Sequence, residues 1–160
     1  MTLIWTRVDQ KLVHGQVTQA WVPFLDINAI VVIDQDTAAD LWAQKMMRLS
    51  LPTEIKEARF TVPETLAEVM ADQELAARRV MAIFKNIADV LEALDSGFAP
   101  RQLNLGNQAC QPAEQDIRLA DCFFASSREL DELAGLKARG LEIIVQSVPR
   151  GKALRWKPKK

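Results

Sequence analysis

The sequence has one histidine and two cysteines, too few to build the common metal or redox centres. Cys110 and Cys122 show neither a CxxC spacing nor a zinc pattern, and in a reducing compartment they read as plain thiols. No run of about eighteen apolar residues occurs, so no segment reads as a membrane-spanning helix. The first residues, Met-Thr-Leu-Ile-Trp-Thr-Arg, lack the charged start, apolar stretch and cleavage site of a signal peptide, and a cytoplasmic location is expected. GxGxxG, a Walker A loop, GxSxG and HExxH are all missing, which leaves a dinucleotide enzyme, a P-loop kinase and a zincin without support.

There is also little net charge. At −1 overall, the chain gives no reason to expect a nucleic-acid partner. The charge is unevenly placed, however. Arg150, Lys152, Arg155, Lys157, Lys159 and Lys160 crowd the last eleven residues without an acid among them, and the rest of the chain is near −7, with 14 basic against 21 acidic residues. Such a segment reads either as a solvated, frayed tail or as a sticky end for an acidic protein or an anionic surface. The expected organisation is one domain over residues 1–149 and a basic tail over 150–160.

What is present is an ordinary globular composition, 49% apolar and 26% charged in 160 residues, enough for one core. Apolar runs alternate with helix-period segments. Leu3–Val8, Ala29–Ile33, Ile55–Thr61, Val80–Phe84, Leu103–Leu105, Cys122–Ala125 and Leu141–Val148 read as strands. Between them, Ala38, Leu41, Trp42, Met46 and Leu49 share a helix face after a cap at Asp36. Further stripes comprise Leu66, Val69 and Met70; Ile87, Val90, Leu91 and Leu94; and Leu130, Leu133 and Ala134. Thr61-Val62-Pro63-Glu64 and Ser126-Ser127-Arg128-Glu129 have capping-box spacing. The pattern implies an α/β fold: a single doubly wound, mostly parallel sheet with helices on both faces. Residues 106–118 are the least readable and suit an antiparallel excursion at the sheet edge.

His14 follows the first strand within Arg7-Val8-Asp9-Gln10-Lys11-Leu12-Val13-His14-Gly15-Gln16-Val17. Ligands of open parallel sheets bind at the carboxyl ends of strands, and a loop there that opens a helix offers unpaired N–H groups to an anion. Gly15 lets backbone approach closely. Neutral imidazole is a good nucleophile, and the N–P bond it forms is labile. A lone histidine is otherwise commonly structural; the strand-end position and the flanking Arg7 and Lys11 favour phosphoryl carriage. Asp34 either orients a site group or begins a turn, and Lys85-Asn86 and Gly106-Asn107 are either site rim or ordinary turn residues. The four tryptophans read as core or interface, and Met46 and Met47 as packing.

These residues resemble a known family. Arg7-Val8-Asp9 through His14-Gly15-Gln16-Val17 is similar to the signature R-[IV]-D-x-R-L-[IV]-H-G-Q-V of the mannose/fructose/sorbose-type IIB components of sugar phosphotransferase systems. The similarity continues through Trp21, Val31-Val32-Ile33-Asp34, Phe84-x-Asn86, Asn104-Leu105-Gly106 and Leu136-Lys137-Ala138-Arg139-Gly140. The resemblance implies a phosphohistidine at Nδ1 of His14. The group would come from a IIA protein charged by HPr and pass to a hexose held by membrane IIC/IID subunits. Arg7, Lys11, Gly15 and Gln16 are then expected around the phosphate, with Asp9, Asp34 and Asn86 in support and no metal or cofactor. Lys11 stands where the family signature has Arg, Gln10 where an acid is frequent, and Gly106-Asn107 where Gly-Gly often occurs. Lys11 keeps the charge but loses the planar fork that matches phosphate oxygens, which favours a second reading as a regulatory phospho-acceptor uncoupled from sugar.

Overall fold

The computed structural model describes residues 2–108, 112–121 and 123–159. Both cysteines, and the reading of them as plain thiols, lie outside these residues. The strands are β1 (Thr2–Asp9), β2 (Ala29–Ile33), β3 (Glu57–Thr61), β4 (Arg79–Phe84), β5 (Gln102–Asn107), β6 (Ile117–Ala120), β7 (Phe123–Ala125), β8 (Glu142–Val145) and β9 (Leu154–Arg155). Seven of them form one sheet in the order β3-β2-β4-β1-β5-β8-β9. All neighbours are parallel except the final β8–β9 pair. All five residues of β2 are buried, as a parallel strand covered on both faces requires.

The helices are α1 (Val22–Leu25), α2 (Gln35–Ala39), α3 (Leu41–Ser50), α4 (Leu66–Met70), α5 (Gln73–Ala76), α6 (Ile87–Asp95) and α7 (Ser127–Ala138). Two separate cores result. Val8, Phe84, Leu105 and Ile143 meet Leu66, Leu75, Val90 and Leu133 from α4 to α7 on one face. On the other, Ile30, Val32, Met81 and Ile83 meet Val17, Trp21 and Val22, with Met47 of α3 packed alongside. The chain leaves β1 toward β2 and later crosses to β5 on the opposite side of β1. The carboxyl end of β1 is thus the point where the winding reverses, which opens a crevice there.

Several local expectations are corrected. The helix read after Asp36 is two helices: Asp34 caps α2 through Thr37, and Asp40 breaks the run and caps α3 by accepting from Trp42 N–H and Ala43 N–H. A short acceptor side chain offers those amides a partner that a continuing helix does not. The shared stripe faces out, against the reading of Met46 as packing: Leu41, Trp42, Met46 and Leu49 are exposed. Thr61 forms no capping box; its hydroxyl bonds Thr65, and a 3₁₀ turn (Pro63–Thr65) precedes α4. The Ser126–Glu129 box is complete. Ile117–Ala120 and Phe123–Ala125 pair as the antiparallel strands β6 and β7 outside the main sheet. The last strand stops at Val145, because the chain turns there to feed β9. The segment expected to fray is tied down: Leu154–Arg155 pairs with β8, and Trp156 is buried in the first core. Its indole adds enough apolar burial to hold a basic segment against the sheet.

Candidate functional site

Arg7 and Asp9 are two residues apart on β1 and therefore share a face. Just beyond them the chain turns sharply. Gln10 N–H donates to Asn107 O at 2.9 Å, extending the β1–β5 ladder by one bond, and Leu12 N–H returns to Asp9 O at 2.9 Å. Lys11 N–H donates to Asp9 Oδ1 at 3.0 Å. The turn puts Leu12 at φ 53°, a conformation a branched L-residue adopts at a cost of order 1 kcal/mol. Its side chain is buried in the second core, and that burial offsets the strain. His14 lies two residues on. Thr18 then donates to His14 O from both its N–H and its hydroxyl, at 2.9 and 3.1 Å. A π-helical segment, Gln16–Trp21, begins here and runs into α1.

The centre of the site is the Asp9 carboxylate, which is fully buried. Its Oδ2 accepts from Arg7 Nε at 3.1 Å, Arg7 Nη2 at 2.9 Å and His14 Nε2 at 2.8 Å. The structure joins Asp9 to both Arg7 and the imidazole. The Nε2 bond fixes the ring, because a carboxylate accepts only from the tautomer that carries its proton on Nε2. In the neutral ring this leaves the lone pair on Nδ1. The imidazole is 19% exposed, enough for one ring edge to meet solvent.

Arg7 has a part that differs from phosphate contact. Its guanidinium is wholly buried, and all five of its N–H donors have acceptors in the protein. Besides Asp9, these are the Asn104 side-chain carbonyl and the backbone carbonyls of Gln146 and Ser147, the last two at 3.2 and 3.1 Å. The Trp21 ring lies 5.5 Å from the guanidinium carbon, and its indole N–H donates to Ser147 O at 2.8 Å. Gly106 makes room. The pairing of β1 with β5 skips it as a bulge between Leu105 and Asn107, and a Cβ there would overlap the guanidinium. Burial lowers the Arg7 pKa from its ordinary value, and the attraction and hydrogen bonds of Asp9 oppose that. A charge buried this deeply persists because it is paired and fully hydrogen-bonded.

The other expected site residues divide into two groups. Lys11, Gly15 and Gln16 stand on the His14 loop. The Lys11 side chain is exposed. Gly15 has ordinary helical dihedrals, and a Cβ on it would meet nothing within 4 Å. Gln16 is half-buried, with an amide oxygen that has no hydrogen-bond partner among the described residues. Asp34 and Asn86, by contrast, are taken up by helix caps. Asp34 accepts from Thr37 at 3.0 Å (N–H) and 2.6 Å (hydroxyl) and lies 3.6 Å from Lys85 Nζ; Asn86 caps α6 through Asp89 N–H at 2.9 Å. Neither hydrogen-bonds the His14 loop among the described residues. Asn104 and the Gln146–Ser147 carbonyls were missed as site groups. A buried Asn in an otherwise apolar strand was the one available signal; the carbonyls left none.

Among the described residues, no group of three or more His, Cys, Asp or Glu side chains could hold a metal, and no helix is long and apolar enough to cross a membrane.

The fold has counterparts. The N-acetylgalactosamine-specific phosphotransferase enzyme IIB component 1 of Escherichia coli K12 is 26% identical over 147 residues, spanning 92% of this chain and 91% of that protein. Its crystal structure superposes with a TM-score of 0.86 at 25% identity, covering 98% of this chain and all of the other. The sorbose-specific EIIB component of Klebsiella pneumoniae is 26% identical over 137 residues, 83% of each chain. The crystal structure of the IIBSor domain from the same organism shares the fold, with a TM-score of 0.84 at 22% identity over 96% of this chain and 93% of that one. Residues 3–158 match the family described as the PTS system sorbose subfamily IIB component. This chain therefore belongs to the sorbose-subfamily IIB components of the sugar phosphotransferase system.

Proposed function

We propose that this IIB component carries a phosphoryl group on Nδ1 of His14, accepting it from a IIA protein and passing it to a hexose held by membrane IIC/IID subunits. The observation that carries this reading is the 2.8 Å contact between Asp9 Oδ2 and His14 Nε2. In the neutral imidazole it places the proton on Nε2 and the lone pair on Nδ1, and it fixes the ring's direction through a carboxylate that is itself immobilised by Arg7.

In loading, the Nδ1 lone pair attacks phosphorus, the bond from phosphorus to the donor nitrogen breaks, and the donor keeps that electron pair. The proton stays on Nε2, where Asp9 stabilises the positive charge that develops on the ring. In unloading, the Nδ1–P bond breaks toward a sugar hydroxyl, whose proton is lost as the sugar phosphate forms. Three backbone N–H groups support the charge on the transferring oxygens. Gly15 is the N-cap of the π-helical segment and Gln16 and Val17 begin it, and among the described residues none of the three donates to a backbone carbonyl; Thr18 N–H is the first that does. Lys11 adds the mobile cation. Arg7 is a positioning residue in this scheme, since all its donors are engaged within the protein. Catalysis is thus positioning plus electrostatics. The protein works in the cytoplasm and meets a membrane permease peripherally. The regulatory alternative differs only at the exit step, which Lys11 governs.

The test is phosphoryl labelling from phospho-IIA. Wild-type protein takes up one acid-labile group, and a folded His14→Gln variant takes up none. Label retained by that variant would place the phosphorylated atom elsewhere.

A further inference from the structure

The outward face of α3 is not explained by the fold. Leu41, Trp42, Met46 and Leu49 are 80%, 68%, 49% and 72% exposed, and no residue of this helix is fully buried. At 100° per residue the four lie within one arc, with Lys45 among them. Together they present apolar surface on the order of 500 Å², at the upper end of what monomers show and commonly functional at that size.

Its position joins this patch to the chemistry. Val8, Phe84 and Ile33 are level across β1, β4 and β2, so Asp9 and Asp34 leave the sheet at the same edge, two strands and roughly 10 Å apart. Asp34 caps α2, and the Gln44 side chain ties α3 back to the Thr37 and Ala38 carbonyls at 3.0 Å each. The first turn of α3, with Leu41 and Trp42, therefore stands at the sheet edge that carries the His14 loop. Both lie on the same face of the sheet, because Met47 of α3 packs on the core that holds Leu12, Val17 and Trp21.

We propose that this face of α3 is the surface on which the phosphoryl-donor protein docks to load His14, an inference that rests on the carrier reading above. Loading brings two folded proteins together at one phosphorus atom, so the two surfaces must mate around the histidine to hold donor atom, phosphorus and Nδ1 in line. The hexose is held by membrane subunits that meet the same histidine, and the sugar-transfer arm of the test separates that partner from the donor. Area argues against a second copy of this chain. A stable complex takes about 800 Å² from each partner, whereas this patch matches the small interfaces of transient encounters, as a carrier that must let its donor go requires. A protruding tryptophan beside leucines is the composition of a docking anchor.

The experiment compares Leu41→Ser/Trp42→Ser protein with wild type. Each is loaded from a phospho-IIA protein of the same family over a range of concentrations, and separately from phosphoramidate, which needs no docking. The expected result is a rise of about tenfold or more in the IIA concentration giving half-maximal loading, with the maximal rate changed less than twofold and phosphoramidate loading unchanged. An unchanged dependence on IIA overturns the proposal, as does an equal loss with both donors, which would place the effect in the site itself. A defect seen only in transfer to sugar would assign the face to the permease. A wild-type dimer in sedimentation that the substitutions dissolve would assign it to a second copy. If neither donor loads wild-type His14, the carrier reading itself falls.

Discussion

Gly106→Ala adds one methyl group where the Arg7 guanidinium lies. The neighbour is a fully buried side chain with every donor bonded, so it cannot yield by a small rotation. Arg7 has to leave, and Asp9, Asn104 and two backbone carbonyls lose their partner. Breaking a buried ion pair from one side costs about 3–5 kcal/mol. For a chain of this size that corresponds to a fall in melting temperature of roughly 6–20 °C. Loading suffers as well, since Asp9 keeps the imidazole but loses the cation that holds it still; a misplacement of about 1 Å costs on the order of a hundredfold. The assays are thermal unfolding by circular dichroism and single-turnover loading from phosphoramidate. A double-mutant cycle isolates the contact: in an Arg7→Met background, Gly106→Ala should cost less than about 1 kcal/mol, because a flexible apolar chain can make way. If Gly106→Ala costs the same in both backgrounds, or shifts the wild-type melting temperature by less than about 2 °C, the guanidinium does not depend on the absence of a side chain at this bulge.

Asp9→Asn lets an amide N–H face Nε2, which moves the ring proton to Nδ1 and removes the nucleophilic lone pair. Loading should fall by about 10²–10⁴-fold, and the nitrogen-15 spectrum of His14 should show the tautomer reversed; an unchanged spectrum would refute the tautomer argument. Lys11→Arg should speed transfer to sugar several-fold, up to the roughly ten- to hundredfold that one charge-assisted bond can supply, and alter loading by IIA little. Equal single-turnover rates to sugar for the two proteins would show that Lys11 simply substitutes for Arg. Burial pushes the Asp89 carboxyl above its ordinary value, against the Asn86 hydrogen bond, and the charges of Asp34, Glu92 and Glu64 push it the same way. The folded state then holds that proton more tightly than the unfolded state, so stability is lost as pH rises from the ordinary carboxylate range through the raised value. Asp89→Asn should accordingly be the more stable protein in urea at pH 7, and the difference should close below about pH 4. A gap independent of pH would mean that charge is not its cause.

The alternation of apolar runs and helical stripes determined the architecture, because a parallel sheet covered on both faces writes continuous apolar strands such as Ala29–Ile33 directly into the sequence. The position of His14 after the first strand was legible for the same reason, since the strand end is a local feature. Helix faces were less so. Periodicity shows which residues share a side and is silent about which side finds a partner, so Leu41, Trp42, Met46 and Leu49 were correctly grouped while their exposure was decided only by the tertiary structure. The basic terminal segment misled in a similar way: its charges suggested fraying, whereas β9 pairing and the burial of Trp156 hold it.

The histidine, the acid two residues after Arg7 and the loop's small residues were all determined by the sequence itself, because they lie within one short stretch of chain. Only the tertiary structure decided what Arg7 does. Apart from Asp9, its acceptors come from Asn104 and from the carbonyls of Gln146 and Ser147, about a hundred or more residues away, and the room for it comes from a bulge at Gly106 that no propensity records. A basic side chain beside a phosphate-carrying histidine reads as a phosphate ligand. Whether it is one depends on how many of its donors the rest of the fold has already engaged, and that is set by groups brought together only when β1, β5 and β8 lie side by side.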